Sequence, residues 1–180
     1  MDDAERDTRR WLERAVIGLN LCPFARSVHV RNQIHFCVSN ATEPADVWPD
    51  LERELQDLLA IEPSLRETTL LVVPGCLHDF LEFNDFMGQG ERLLRKRGLQ
   101  GILQLVGFHP HYEFADSEAG DVTNHTNRSP YPTIHVLREE SIEAALRGFP
   151  RPERIYENNL LTLKALGPDG WAALDVGPSP

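Results

Sequence analysis

The segment TTLLVV, Thr68 to Val73, constrains the fold of this chain more than any other stretch. Its residues are β-branched or apolar without polar alternation, so a strand here is buried on both faces, and Pro74 and Gly75 close it. Such a strand needs helices packed against its sheet, and two candidates flank it. Before it, Val47, Leu51, Leu55 and Leu58 form an apolar ridge at helical spacing, with Asp46 as cap, Pro49 in the first turn and Pro63 as stop. After it, a helix is predicted over roughly Leu77 to Arg97, with Phe80, Phe83, Met87 and Leu94 inward and Gly98 ending it. Gly88 and Gly90 are expected to weaken or bend its middle.

The remaining elements follow from the same periodicities. Asp2 and Glu5 make a capping-box-like start, and Trp11, Leu12, Ala15, Val16 and Leu19 share a helical face until Gly18 can end the helix. Ile34, Phe36 and Val38 alternate with His35 and Cys37, the period of a half-buried strand. Gly101 to Phe108 and Pro132 to Arg138 read as two further strands, separated by about twenty mostly polar residues, a loop long enough to suggest function or disorder. Ser141 to Arg147 and Pro152 to Leu166 read as closing helices, with Gly167 just past the end. The expectation is a mixed α/β (α+β) single domain over residues 1–167: a four-stranded mixed sheet, three parallel strands plus one antiparallel, packed with five helices. Residues 168–180 are expected to fray. If the fourth strand returns antiparallel, Ser39, Asn40, Pro74 to Cys76, His109 to Tyr112 and Asn127 to Pro132 converge on the carboxyl edge, where open α/β sheets bind ligands.

Composition removes several classes of function. In 180 residues, 28 acidic side chains against 18 basic give a net charge of -10, which repels a phosphate backbone and argues against nucleic acid as partner. Cys22, Cys37 and Cys76 form no CxxC pair, which argues against a disulfide framework and a four-ligand structural zinc, and fits a reducing compartment. The charged start lacks the marks of a signal peptide, and the apolar runs fall far short of the roughly 20 residues of a membrane helix. A soluble cytoplasmic protein without a membrane partner is expected. No GxGxxG, Walker lysine loop, GxSxG or HExxH occurs.

Four segments, LNLCPFA (19–25), DFLEFNDF (79–86), GILQLVGFHPHYEF (101–114) and NHTNRSPYPTIHVLRE (124–139), carry a family resemblance over nearly the whole chain. Together they resemble an uncharacterised bacterial family, domain of unknown function 1415 (DUF1415). Matching positions include Cys22, Pro23, Phe24, Asn84, His109, Pro110, Tyr112 and Phe114, and, further on, Asp121, Asn124, Asn127, Arg128, Ser129, Pro130, His135 and Arg138. The resemblance implies a shared fold and no particular chemistry; GQGE (88–91) looks like a local departure from its pattern.

Polar groups of several kinds concentrate between His109 and Arg138. One reading is a hydrolase or transferase site for a small anionic metabolite. His109 is then acid or base, Asp121 its partner, Arg128 the anion clamp, and Asn124, Asn127, Ser129 and Arg138 the groups that position substrate. The bland alternative has Asp121, Asn124, Asn127 and Ser129 shaping the loop through bonds to nearby backbone, so that it serves a non-catalytic ligand- or protein-binding module. A third reading is a metal site using His109, with His111 beside it and Asp121, His125 or His135 completing it. His135 also reads as a half-buried strand histidine. Cys22 is a possible thiol at a helix end, or a small buried side chain where the chain turns inward; Cys37 and Cys76 read as packing. No cofactor is indicated.

Overall fold

A computed structural model describes residues 2–118, 120–148 and 151–179. Its sheet has four strands: β1 (Ile34–Val38), β2 (Thr68–Val72), β3 (Leu103–Phe108) and β4 (Thr133–Arg138), in the order β1-β2-β4-β3. All five residues of β2 are buried, as its unbroken apolar run requires. The expected block of three parallel strands is absent. β4 inserts antiparallel between β2 and β3, so β1-β2 is the one parallel pair, while β2-β4 and β3-β4 are antiparallel. A crossover helix carries β3 past β2 with room for one strand, and the long loop after β3 returns the chain into that gap.

Helices α3 (Pro44–Ala60) and α4 (Phe80–Lys96) cover one face of the sheet. Val47, Leu51, Leu55 and Leu58 from α3, and Phe83, Phe86 and Leu94 from α4, close on Leu71, Leu103, Leu105, Ile134 and Val136. Trp48 stacks on Phe86 with ring centroids 4.0 Å apart, joining the two helices. α3 starts at Pro44, ahead of Asp46, because proline fits the first helical turn. α4 starts after Asp79, whose carboxylate accepts the N–H groups of Leu81 and Glu82. Gly88 and Gly90 do not interrupt it: the helix is continuous to Lys96.

The opposite face is covered by α1 (Asp3–Trp11) and the π-helical segment Leu12–Ile17 that continues it, with Trp11, Ala15, Val16 and Ile17 packed on Phe36 and Leu70. The helix ends at Ile17 with Gly18 as its C-cap residue, as the sequence suggests. Asn20, at φ +55°, provides the left-handed turn that an asparagine tolerates, and a short helix α2 (Ala25–Val30) follows. After β4 come α5 (Glu139–Arg147) and α6 (Glu153–Ala173). Gly167, at φ +66°, kinks α6, and the chain resumes a helical course from Pro168.

The segment after Gly167 is not frayed. Its carbonyls at Asp175 and Gly177 accept hydrogen bonds from Arg10, that of Leu174 accepts one from Arg14, and Val176 is buried. Ser179 reaches the carboxylate of Asp7, which has no exposed surface, through its N–H (2.7 Å) and hydroxyl (2.6 Å). The arginines on the outer side of α1 hold this tail, a long-range pairing with no local signature; Pro180 lies outside the described residues. No helix among the described residues is long and apolar enough to cross a membrane.

Candidate functional site

The carboxyl ends of β1, β2 and β3 and the start of β4 meet at one edge, where Ser39 N–H bonds to Val72 O and Val73 N–H to Pro132 O. A cleft of about 510 Å³ opens there, within the range of small-molecule sites. Trp11, Trp171 and five prolines, at 74, 110, 130, 132 and 178, supply much of its wall, and His78, His111, His125, Arg128 and Tyr131 its charged or titratable groups. No acidic residue lines it among the described residues, although the chain carries a net charge of -10.

Most of the polar residues that the sequence pointed to serve the loop instead of the cleft. His109 has no exposed surface and sits between Phe80 and Phe83, at ring-centroid distances of 5.5 and 5.1 Å. Its Nδ1 accepts the His111 N–H at 3.0 Å, so Nε2 carries the ring hydrogen and donates to Leu77 O at 3.0 Å. Both nitrogens are therefore occupied by backbone, and burial holds the imidazole neutral by lowering its pKa. Asp121 is not its partner. That carboxylate caps the 3-10 turn Val122–Asn127, accepting the N–H and hydroxyl of Thr123 at 2.8 Å each, which also lowers its pKa.

The neighbouring asparagines and serine do similar work. Asn124 Oδ1 accepts Phe114 N–H (3.1 Å) and Ser117 Oγ–H (2.7 Å), and Asn127 Nδ2 donates to Gly107 O at 3.2 Å. Ser129 Oγ donates to Tyr131 O at 2.6 Å, although its residue also touches the cleft. These bonds pin the return of the chain from β3 to β4, the scaffolding role open to Asx and Ser side chains. The hydrogen bonds of His109 and Asp121 run to other partners than each other, and those of Asn124 and Asn127 run within the loop and to β3, the arrangement of the scaffolding alternative.

Two other candidates lie away from the cleft. Arg138 ends β4 at the opposite edge of the sheet and donates to the carbonyls of Leu58, Ile61 and Arg66, closing the carboxyl end of α3. Cys22 packs against the Trp11 and Phe36 cluster outside the cleft wall. The metal reading that began from His109 loses its ligand atoms to backbone bonds. His135 is also engaged: Thr68 gives its hydroxyl hydrogen to Val136 O, so His135 Nε2 is the donor to Thr68 Oγ1 at 2.7 Å. Burial pushes the His135 pKa down to about 4.

Arg128 remains at the site. Its Nε donates to Tyr112 O at 3.1 Å, which fixes the guanidinium plane, while its two terminal nitrogens have no partner among the described residues. Beside it His125 stacks on Trp171, with centroids 4.1 Å apart and planes at 14°. Burial and the charge of Arg128 lower its pKa to about 4, so the ring is neutral, and its buried Nδ1 has no hydrogen-bond partner among the described residues. The sequence reading missed His78, Trp11 and Trp171 as cleft residues, whereas Tyr131 falls within the Asn127 to Pro132 stretch expected at this edge. Trp11 reads in the sequence as a core position of the first helix and His78 as part of the helix predicted from Leu77, while Trp171 lies in the tail expected to fray. Inside α6, Asn159 Nδ2 donates to Leu21 O at 2.9 Å and ties that helix to the turn after the first one.

A family model for a protein of unknown function, DUF1415, matches residues 3–173. The chain belongs to the DUF1415 family. No curated protein and no solved structure matches it significantly. The NHTNRSPYP block that carries much of the family resemblance thus includes the loop anchors Asn124 and Asn127 and the cleft residue Arg128.

Proposed function

We propose that this protein binds a small molecule with an anionic group and a flat or apolar body in the cleft at the carboxyl edge of its sheet. The observation that carries this reading is Arg128: its guanidinium is oriented through Nε, and among the described residues its two terminal nitrogens are unpartnered and its wall holds no carboxylate side chain. Arg128 takes a carboxylate or phosphate bidentately, His125 Nδ1 supplies a neutral polar contact, and Trp171 and Trp11 receive the apolar part. Binding is favoured over hydrolase or transferase chemistry because both ring nitrogens of His109 are taken by backbone, and Asp121 is turned to Thr123 through Oδ1 as a cap of the 3-10 turn instead of to His109.

The test is thermal stabilisation by a panel of aryl and alkyl carboxylates and phosphates, on wild type and on Arg128→Ala and Arg128→Lys. A true ligand at a hundred times its Kd stabilises wild type by about 2.7 kcal/mol. Arg128→Ala should weaken it by roughly 1.5–3 kcal/mol, the worth of hydrogen bonds to a charged group, and Lys should restore only part. Equal stabilisation of all three proteins, or a panel in which neutral analogues do as well as anions, rejects the proposal.

A further inference from the structure

We infer that His35, Cys37 and Glu54 form a binding site for one divalent ion of the zinc class on the face of β1 that α3 covers. His35 and Cys37 stand two apart on a strand and so share a face, and α3 lays Glu54 over them. One ligand atom from each residue, imidazole nitrogen, sulfur and carboxylate oxygen, lies within 4.8 Å of the other two, and His35 Nε2 is 3.6 Å from Glu54 Oε2. Zinc bonds of about 2.0–2.3 Å place tetrahedral neighbours about 3.5 Å apart, so side-chain movement of about an ångström closes the set. Imidazole and thiolate together select zinc and its transition-metal neighbours over magnesium or calcium.

Two arginines share Glu54, and they differ in how firmly they stay. Arg66 is buried and pairs with Glu54 while also donating to Thr69 Oγ1 from Nε (3.0 Å) and Nη2 (2.6 Å). Its Nη2 holds Oε2, the oxygen that also faces His35, and so fixes the carboxylate's orientation, as the outer partners of metal ligands commonly do, while Oε1 faces Arg53 Nε at 3.5 Å. Arg53 is half exposed, pairs with Asp50 at 2.9 Å and brings Nη2 to 3.8 Å from Cys37 Sγ. Swinging it into solvent costs little, as for other exposed ion pairs, and frees the front of the site. Metal binding replaces the Cys37 S–H bond with an S–metal bond and releases that proton to solvent; the ion's double charge overcomes the burial that otherwise raises this thiol to about 11. The half-exposed ring of His35 leaves the fourth position open to water.

The test adds Co2+ to the reduced, untagged full chain. The expected result is one equivalent bound, with a near-ultraviolet thiolate-to-cobalt band that Zn2+ abolishes. Cys37→Ser should remove the band, His35→Ala should weaken binding at least tenfold, and Cys22→Ser should change neither. Both site variants leave the Arg66–Glu54 pair intact, and His35, being half exposed, is replaceable without a core defect. Absence of the band in wild type, its survival in Cys37→Ser, or unchanged affinity in His35→Ala overturns the inference.

Discussion

His109, His125 and His135 are all kept neutral by burial, and His125 also by the charge of Arg128. In the unfolded chain a histidine titrates near 6.5, about 2 or more units above the values of about 4 that His125 and His135 have when folded. Between those limits the unfolded state binds more protons, so the stability these residues contribute is complete above about pH 6.5 and is lost as pH falls toward about 4. Urea unfolding midpoints should therefore drop through that window. In His135→Gln the drop should be shallower, because the amide can donate to Thr68 Oγ1 without titrating; an identical profile would show that His135 does not drive the acid sensitivity. The same three residues mark how far the site was legible. A cluster of His, Asp, Asn, Ser and Arg beside a strand end pointed to a loop that borders the cleft, but identical residue types build loops and active sites. Which of them is occupied by backbone depends on partners such as Leu77 O and Tyr112 O, far enough along the chain to leave no local trace.

At the scale of elements, α4 and β3 show where glycine is required and where it is not. A Cβ on Gly107 of β3 would stand 2.8 Å from Phe83 Cε1 and 3.4 Å from Met87 Cγ, whereas one on Gly88 of α4 meets nothing nearer than Arg92 Nη1 at 3.9 Å. Phe83 is locked in the core, so Gly107→Ala should destabilise by about 1–3 kcal/mol through overpacking. Gly88→Ala adds helix propensity at an open position and should stabilise by about 0.5–1 kcal/mol. Chemical unfolding of both variants checks the pair; equal effects would mean that α4 shifts freely over β3. The helices and strands with strong stripes, α3, α4, β1 and β2, were legible because burial imposes a period on sequence. α2 and the 3-10 turn carry no stripe, since neither buries a full face, and the insertion of β4 between β2 and β3 is a choice of neighbour that periodicity does not encode.

At the scale of the whole molecule, the cleft depends on bringing together three distant parts of the chain. Asp7 of α1 accepts hydrogen bonds from the Tyr131 hydroxyl at 3.0 Å, before β4, and from Ser179 at the end of the tail, and pairs with Arg10 at 3.1 Å. The tail in turn contributes Val176, Gly177 and Pro178 to the cleft wall, so one buried carboxylate holds a wall and the loop opposite. Asp7→Asn keeps the shape but puts an amide NH2 against donors on one side and removes the partner of Arg10. The expected cost is roughly 3–5 kcal/mol, the range for a buried ion pair deprived of one member. The tail should also become the first site of proteolytic cleavage, because its remaining ties are surface bonds from Arg10 and Arg14. Urea unfolding and limited proteolysis read these two effects separately. A variant that loses stability while its tail stays protected would place the latch elsewhere. Wild-type behaviour in both measurements would mean that the bonds from Arg10 and Arg14 and the burial of Val176 hold the tail without Asp7.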